Sequence, residues 1–191
     1  QATHFRWDRM AEIMREFLDE AAEASPASTA STENACRLCG GATHWLFNKR
    51  VLHKYDVPFR QCSRCEATQT DKPYWLDEAY VPENETFDTG QVTRSLINAA
   101  VINALLPMAG LGPDARVLDY GCGSGLMVRT LRDTGVNAWG HDRYSSPRLA
   151  LGFQTPTFSG FDVVNLCEVV ERFDEPRQHF DAFFASDPSL V

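Results

Sequence analysis

One stretch constrains this chain more than any other: Val117-Leu118-Asp119-Tyr120-Gly121-Cys122-Gly123-Ser124-Gly125 passes from a short apolar run straight into three glycines at alternate positions. A strand that ends in glycines and is followed by a helical pattern brings backbone close to a ligand at the strand's carboxyl end. The glycines permit turns closed to other residues, and the following helix offers N–H groups with no intrahelical partner. Leu126 follows the third glycine, so the spacing is G-x-G-x-G and departs from the G-x-G-x-x-G of nicotinamide and flavin dinucleotide sites.

The surroundings agree with an α/β domain. From Ala115 onward, short apolar runs alternate with helical ones: a strand over Arg116 to Tyr120, a helix over Ser124 to Asp133, and strands over Asn137 to Asp142 and Phe161 to Leu166. This alternation predicts a Rossmann-like, mostly parallel sheet of about four strands with crossover helices. Ahead of it, Val92, Leu96, Ile97, Ala100, Val101, Ala104 and Leu105 trace one helical face that ends near Gly110 and Gly112-Pro113 and leads into the sheet. Asp119 stands two residues before the first glycine. Asp142 closes the next strand after Trp139-Gly140-His141, where a carboxylate can accept hydrogen bonds from both hydroxyls of a ribose.

The glycine loop is similar to the first motif of class I S-adenosylmethionine-dependent methyltransferases, and Gly140-His141-Asp142 resembles their second. Phe161-Asp162-Val163-Val164-Asn165-Leu166-Cys167-Glu168-Val169-Val170-Glu171 resembles their fourth-strand segment, an apolar strand running into E-V-x-E-H. The resemblance implies S-adenosylmethionine as cofactor. Asp119, Gly121, Cys122, Gly123, Ser124 and Gly125 would hold its methionine end, Asp142 its ribose with His141 at the rim, and Asn165, Leu166 and Glu168 would lie beside the sulfonium. The family's histidine is replaced by Arg172, a poor general base because guanidinium stays protonated. Glu168 and Glu171 are then the nearest candidate bases.

Two further departures concern the sheet. Tyr144 to Gly160 is short for the helix, strand and helix expected there, and the three strands that normally follow the fourth are missing. The chain starts at Gln1 and stops at Val191, and we expect a fragment truncated at its C-terminus, its apolar edge strand covered either by the missing strands or by a partner chain.

A second signal precedes this domain. Cys36-Arg37-Leu38-Cys39 and Cys62-Ser63-Arg64-Cys65 give C-x2-C-x22-C-x2-C, two knuckles able to place four thiolates tetrahedrally around zinc. Gly40-Gly41 suits the tight turn in which amides point at sulfur. Paired disulfides are disfavoured without a secretion signal. Four cysteines leave no open position, so the zinc of this ribbon-like module is expected to be structural. His44 and His53 read as ordinary surface or packing histidines, His179 as packing among Phe180, Phe183 and Phe184, and Cys122 and Cys167 as small buried residues.

A cysteine module ahead of such a domain resembles bacterial methyltransferases acting on sugars or other small natural-product precursors. It implies methyl transfer to oxygen or carbon of a small polar acceptor, with Tyr74, Trp75 and Tyr80 lining a pocket or filling the module's core.

The boundaries read as 1–34 for an N-terminal helix and linker, 35–90 for the zinc module and 91–191 for the methyltransferase domain. Phe5, Met10, Ile13, Met14, Phe17, Leu18 and Ala21 have helical spacing, and Ala24 to Asn34 is linker-like. The absence of an eighteen-residue apolar run excludes a membrane-spanning helix, and the acidic N-terminus does not suit a targeting peptide, so the chain reads as cytoplasmic. A net charge of -8 argues against nucleic acid. A basic stripe from Arg37, Lys49, Arg50, Lys54, Arg60 and Arg64 would restore an RNA methyltransferase as the alternative, and a non-catalytic cofactor-binding or interaction module is the other.

Overall fold

The computed structural model describes residues 35–79, 89–186 and 188. The expected N-terminal helix, its linker and Tyr80 lie outside these residues. The chain forms two compact units. In their described parts, one comprises 35–79 with 173–180, and the other 89–172 with 181–186.

The first unit is built on a three-stranded antiparallel sheet in the order β1-β2-β3, from β1 (Thr43–Val51), β2 (Tyr55–Cys62) and β3 (Thr68–Thr70). β1 and β2 are joined by a turn closed by the Lys54 amide on the Val51 carbonyl at 3.0 Å, with Leu52 and His53 both at positive φ. That geometry matches the right-handed twist of a hairpin and normally selects Asn-Gly, so two bulky residues here carry strain. A short helix α1 (Leu76–Ala79) follows. Trp75 is buried, stacked near Tyr55 and edge-on to Tyr74, which is itself exposed. Trp75 therefore serves as core.

The second unit contains helix α2 (Gln91–Met108), β4 (Arg116–Tyr120), α3 (Leu126–Asp133), β5 (Asn137–His141), β6 (Val163–Asn165), a 3₁₀ turn (Val170–Arg172) and the second half of α4 (Pro176–Ala185). The sheet is parallel with order β5-β4-β6, in keeping with a methyltransferase fold. β4 is central and buried on both faces, which is why Val117 and Leu118 are both apolar instead of alternating with polar residues. The chain leaves β4 toward β5 on one side and returns as β6 on the other, so a crevice opens at the carboxyl end of β4.

Three expectations are corrected. First, among the described residues the sheet has three strands. The segment expected to carry another contributes a single parallel bridge, Gly140 with Gln154, because Tyr144 to Gly160 is taken up by turns. Second, β6 is limited to Val163–Asn165 within the expected Phe161 to Leu166, since its pairing with β4 ends where Asn165 meets Asp119. Third, α2 turns a different face inward. Ala99, Ile102 and Leu106 are buried, whereas Val92, Leu96, Ile97 and Val101 are about half exposed. Spacing alone does not tell which apolar stripe of a largely apolar helix meets the sheet.

No described helix is long and apolar enough to cross a membrane.

Candidate functional site

The glycine loop lies at the carboxyl end of β4, and its three glycines do different work. A Cβ on Gly121 would sit 2.4 Å from a methyl of Val169, and one on Gly125 2.6 Å from the Pro147 ring, so these two positions require glycine for packing. Gly123 also has positive φ, but a Cβ there would meet nothing nearer than the Gln91 side chain at 3.9 Å. The space over Gly123 is open, as a loop that receives a ligand requires. Gly125 caps α3 without any side-chain hydrogen bond to the helix's first turn.

Asp142 follows β5. Its carboxylate accepts the Gly123 amide at 2.9 Å through one oxygen, and those of Tyr144 and Ser145 at 2.8 and 2.7 Å through the other. Three of its roughly four acceptor positions are thus occupied by backbone. It staples the glycine loop to the turn after β5, a part that spacing alone did not reveal. His141 stacks on Tyr120 and places Nδ1 2.9 Å from the Thr155 carbonyl oxygen, which fixes the ring at the edge of the same crevice.

Asp119 is the one buried charged side chain among the described residues. The Asn165 amide donates to its Oδ1 at 2.9 Å. Burial raises its carboxyl from the ordinary 3.8 to about 7; the Asn165 hydrogen bond opposes that rise and the Asp142 charge adds to it. An acid held so is prepared for a cationic neighbour, which would restore its charge.

Beyond β6 the chain turns through Leu166 and Cys167 to Glu168, which is exposed and adopts φ 57°, a left-handed conformation costly to a residue with a Cβ. Cys167 is half-buried, with Sγ 2.7 Å from the Asn98 amide nitrogen. Cys122 is buried against Gly140, where burial pushes its thiol well up and makes it inert. Glu171 lies in the 3₁₀ turn, exposed and paired with Arg172 at 3.2 Å. The structure therefore brings Asp119, the loop residues 121–125, His141, Asp142 and Asn165 together, sets Leu166 and Glu168 on the adjoining turn, and leaves Glu171 solvated.

Sequence reasoning missed the polar edge of α2. Gln91 donates to Ser124 Oγ at 3.1 Å, and Asn98, two helical turns on, reaches Cys167. One helix face thus buttresses both the glycine loop and the β6 turn. The available signal was two amides seven residues apart in a largely apolar helix.

A parallel sheet whose central strand runs into a glycine loop, with acids at two neighbouring strand ends, has the layout of the α/β domains that bind nucleotide-like ligands. The family model described as Methyltransferase domain matches residues 92–188, half of the chain, and the chain belongs to that family. No curated protein matches the chain.

The four cysteines of the first unit converge. Their sulfur atoms all lie within 4.8 Å of one another, with Cys36 to Cys65 at 3.7 Å and Cys39 to Cys62 at 3.5 Å. A tetrahedron with metal–sulfur bonds of about 2.3 Å has edges of about 3.8 Å, so the donor set fits a zinc-sized ion. The two knuckles repeat one another. Cys36 exchanges backbone bonds with Gly40 and Gly41, as Cys62 does with Glu66 and Ala67. Amides two and three residues on face the sulfur of Cys36 and of Cys62. Burial pushes the Cys62 thiol up, but the amides of Cys65 and Arg64 and the neighbouring thiols outweigh it and hold it at about 7. Glycine at 40 and glutamate at 66 share the same positive φ. His44 instead contacts Ser63, and neither it nor His53 joins the cluster.

Proposed function

We propose that the parallel-sheet unit binds S-adenosylmethionine and transfers its methyl group to oxygen or carbon of a small polar acceptor such as a sugar derivative. The observation that carries this reading is the meeting, at the carboxyl end of β4, of an open Gly123 with the buried acid Asp119 in a chain of the methyltransferase family. When bound, the cofactor supplies a methyl on a positively charged sulfur, which an acceptor takes in line as the sulfur–carbon bond breaks. Asp119 lies at the methionine end, where the cofactor's ammonium would favour its carboxylate form. The loop 121–125 receives the methionine end, Asp142 offers its remaining acceptor position to a ribose hydroxyl, and His141 bounds the crevice. Asn165, Leu166 and Glu168 border the reacting end, with Glu168 better placed than Glu171 to take a proton from the acceptor. Alignment of donor and acceptor supplies most of the acceleration.

We further propose that the four cysteines hold one structural zinc, a site suited to a reducing compartment such as the cytoplasm. The RNA alternative is disfavoured. Of the six basic residues that would form its stripe, Lys54 pairs with Glu78 and Arg60 with Asp71, each at 2.9 Å, and Arg37 and Arg64 have guanidinium nitrogens shut away beside the cysteines. Lys49 and Arg50 remain exposed on β1, too few for a phosphate track. A partner chain along the β6 edge is part of the reading.

Isothermal calorimetry with S-adenosylmethionine on wild type and Asp142→Ala tests the site: we expect binding that the substitution weakens at least tenfold. No binding, or binding indifferent to the substitution, would sink it. Turnover of candidate sugar acceptors separates an enzyme from a module that binds cofactor without transferring methyl. Native mass spectrometry should show one zinc, lost in Cys62→Ser; a metal-free folded chain would refute the metal site.

A further inference from the structure

The outward face of α2 is apolar from end to end. Val92, Leu96, Ile97, Val101 and Met108 are 49% to 78% exposed, and Ala100 and Ala104 are exposed between them. None of these side chains is charged, and the helix's single ionic residue, Arg94, lies outside the stripe. Such a surface is on the order of 600 Å², the upper end of what monomers expose.

From this face we propose that α2 pairs with α2 of a second copy of this chain, antiparallel about a two-fold axis beside Ala100. The stripe is self-complementary under that operation. Positions 92, 96, 100, 104 and 108 repeat every four residues and so lie along one ridge. With the axis at Ala100, Leu96 of one protomer faces Ala104 of its partner, Val92 faces Met108, and the two Ala100 residues meet. Leu96 opposes the small Ala104 on both sides of the axis, and alanines at the centre let the helix axes come within about 8 Å. A two-fold contact requires a patch that fits itself in this way. Complete pairing of the two faces would bury at most about 1,200 Å², the lower end of specific interfaces. The missing charge matters as well, because each chain carries a net charge of -8 and the face is where that repulsion is least concentrated.

Sedimentation velocity of the full chain from low to high micromolar concentration tests the proposal. The wild type is expected to dimerise, and Ala100→Glu to raise the dimer dissociation constant at least ~tenfold while leaving the unfolding midpoint of the protomer unchanged, since residue 100 faces away from the core. Oxidised Ala100→Cys should give a disulfide-linked dimer beyond the wild-type background. Val92→Cys should not, because its two copies would lie about 24 Å apart. A wild type that stays monomeric, with Ala100→Glu lowering its unfolding midpoint, would show that this face is covered within one chain, by residues 1–34 for example. That result overturns the proposal. A dimer indifferent to Ala100→Glu also overturns it, because the contact would then use another surface.

Discussion

Asn165 donates its side-chain amide to Oδ1 of Asp119 across 2.9 Å, linking the ends of two neighbouring parallel strands, β6 and β4. The bond gives a buried acid one partner, and that is not enough to hold its charge. Burial raises the Asp119 carboxyl to about 7, above the 3.8 it has in the unfolded chain. The folded state therefore binds more protons, and stability falls as pH rises from about 4 to about 7. Asp119→Asn keeps the acceptor oxygen and removes the titration. It is expected to raise stability above pH 7 by roughly 2–4 kcal/mol and to flatten the pH profile of urea unfolding. An unchanged profile would show that Asp119 is ionised throughout.

The same acid predicts proton release. A cation bound beside Asp119 favours the carboxylate, so S-adenosylmethionine binding at pH 6.5 should expel up to about three-quarters of a proton, and less as pH rises past the group's pKa of about 7. Calorimetry in buffers of different ionisation enthalpy measures this directly. Heats independent of buffer at pH 6.5 would place the positive charge elsewhere.

The glycines separate packing from binding. Gly125→Ala drives a Cβ into the Pro147 ring, 2.6 Å away, and should cost more than about 2 kcal/mol because neither the ring nor the backbone can yield. Gly123→Ala meets open space and pays only for its positive φ, about 1 kcal/mol. It should nonetheless weaken cofactor binding at least tenfold by filling the approach to the loop. Thermal unfolding and calorimetry on the two variants check the contrast, and equal behaviour in both measurements would contradict it.

Glu66 occupies in the second knuckle the conformation that Gly40 occupies in the first, at φ 60° and 73°. Glu66→Gly relieves that strain at some cost in unfolded-state entropy, for a net gain of about 0.5 kcal/mol. The urea midpoint of the metal-loaded protein should rise, with metal content unchanged by mass spectrometry.

Glu168 offers the opposite case. Its φ of 57° follows β6 at the edge of the crevice, and a strained non-glycine residue persists there at a cost. Glu168→Gly should raise the unfolding midpoint and lower methyl transfer. A stabilised variant with undiminished transfer would remove Glu168 from the site.

Much of the domain was legible because its signals are local. Arg116–Tyr120 is a strand as expected, since an apolar run closed by glycines has few alternatives, and Asn137–His141 and α3 depart from their expected bounds by one or two residues. The four cysteines were legible for the same reason: two short knuckles each prearrange a pair of thiols, and the hairpin between them brings the pairs together. Three features were not legible. The inward face of α2 depends on which stripe meets α3 and the shared core. The use of Asp142 as a staple depends on how the turn after β5 folds back. The cradle made by Gln91 and Asn98 depends on α2 lying across two loops far away in sequence.

The amino-acid sequence by itself determined the family, the glycine loop with its acidic strand ends, and the metal-type cysteine set, because each is written in residue type and spacing over a few turns of chain. Tertiary structure alone decided that Asp119 is buried enough to hold a proton near neutral pH, that Gly123 is open while Gly121 and Gly125 are filled, and that α2 leaves an uncharged apolar face outside. These properties belong to the surroundings of a side chain. Desolvation, clearance and exposure are set by segments up to seventy residues away, which no local pattern encodes.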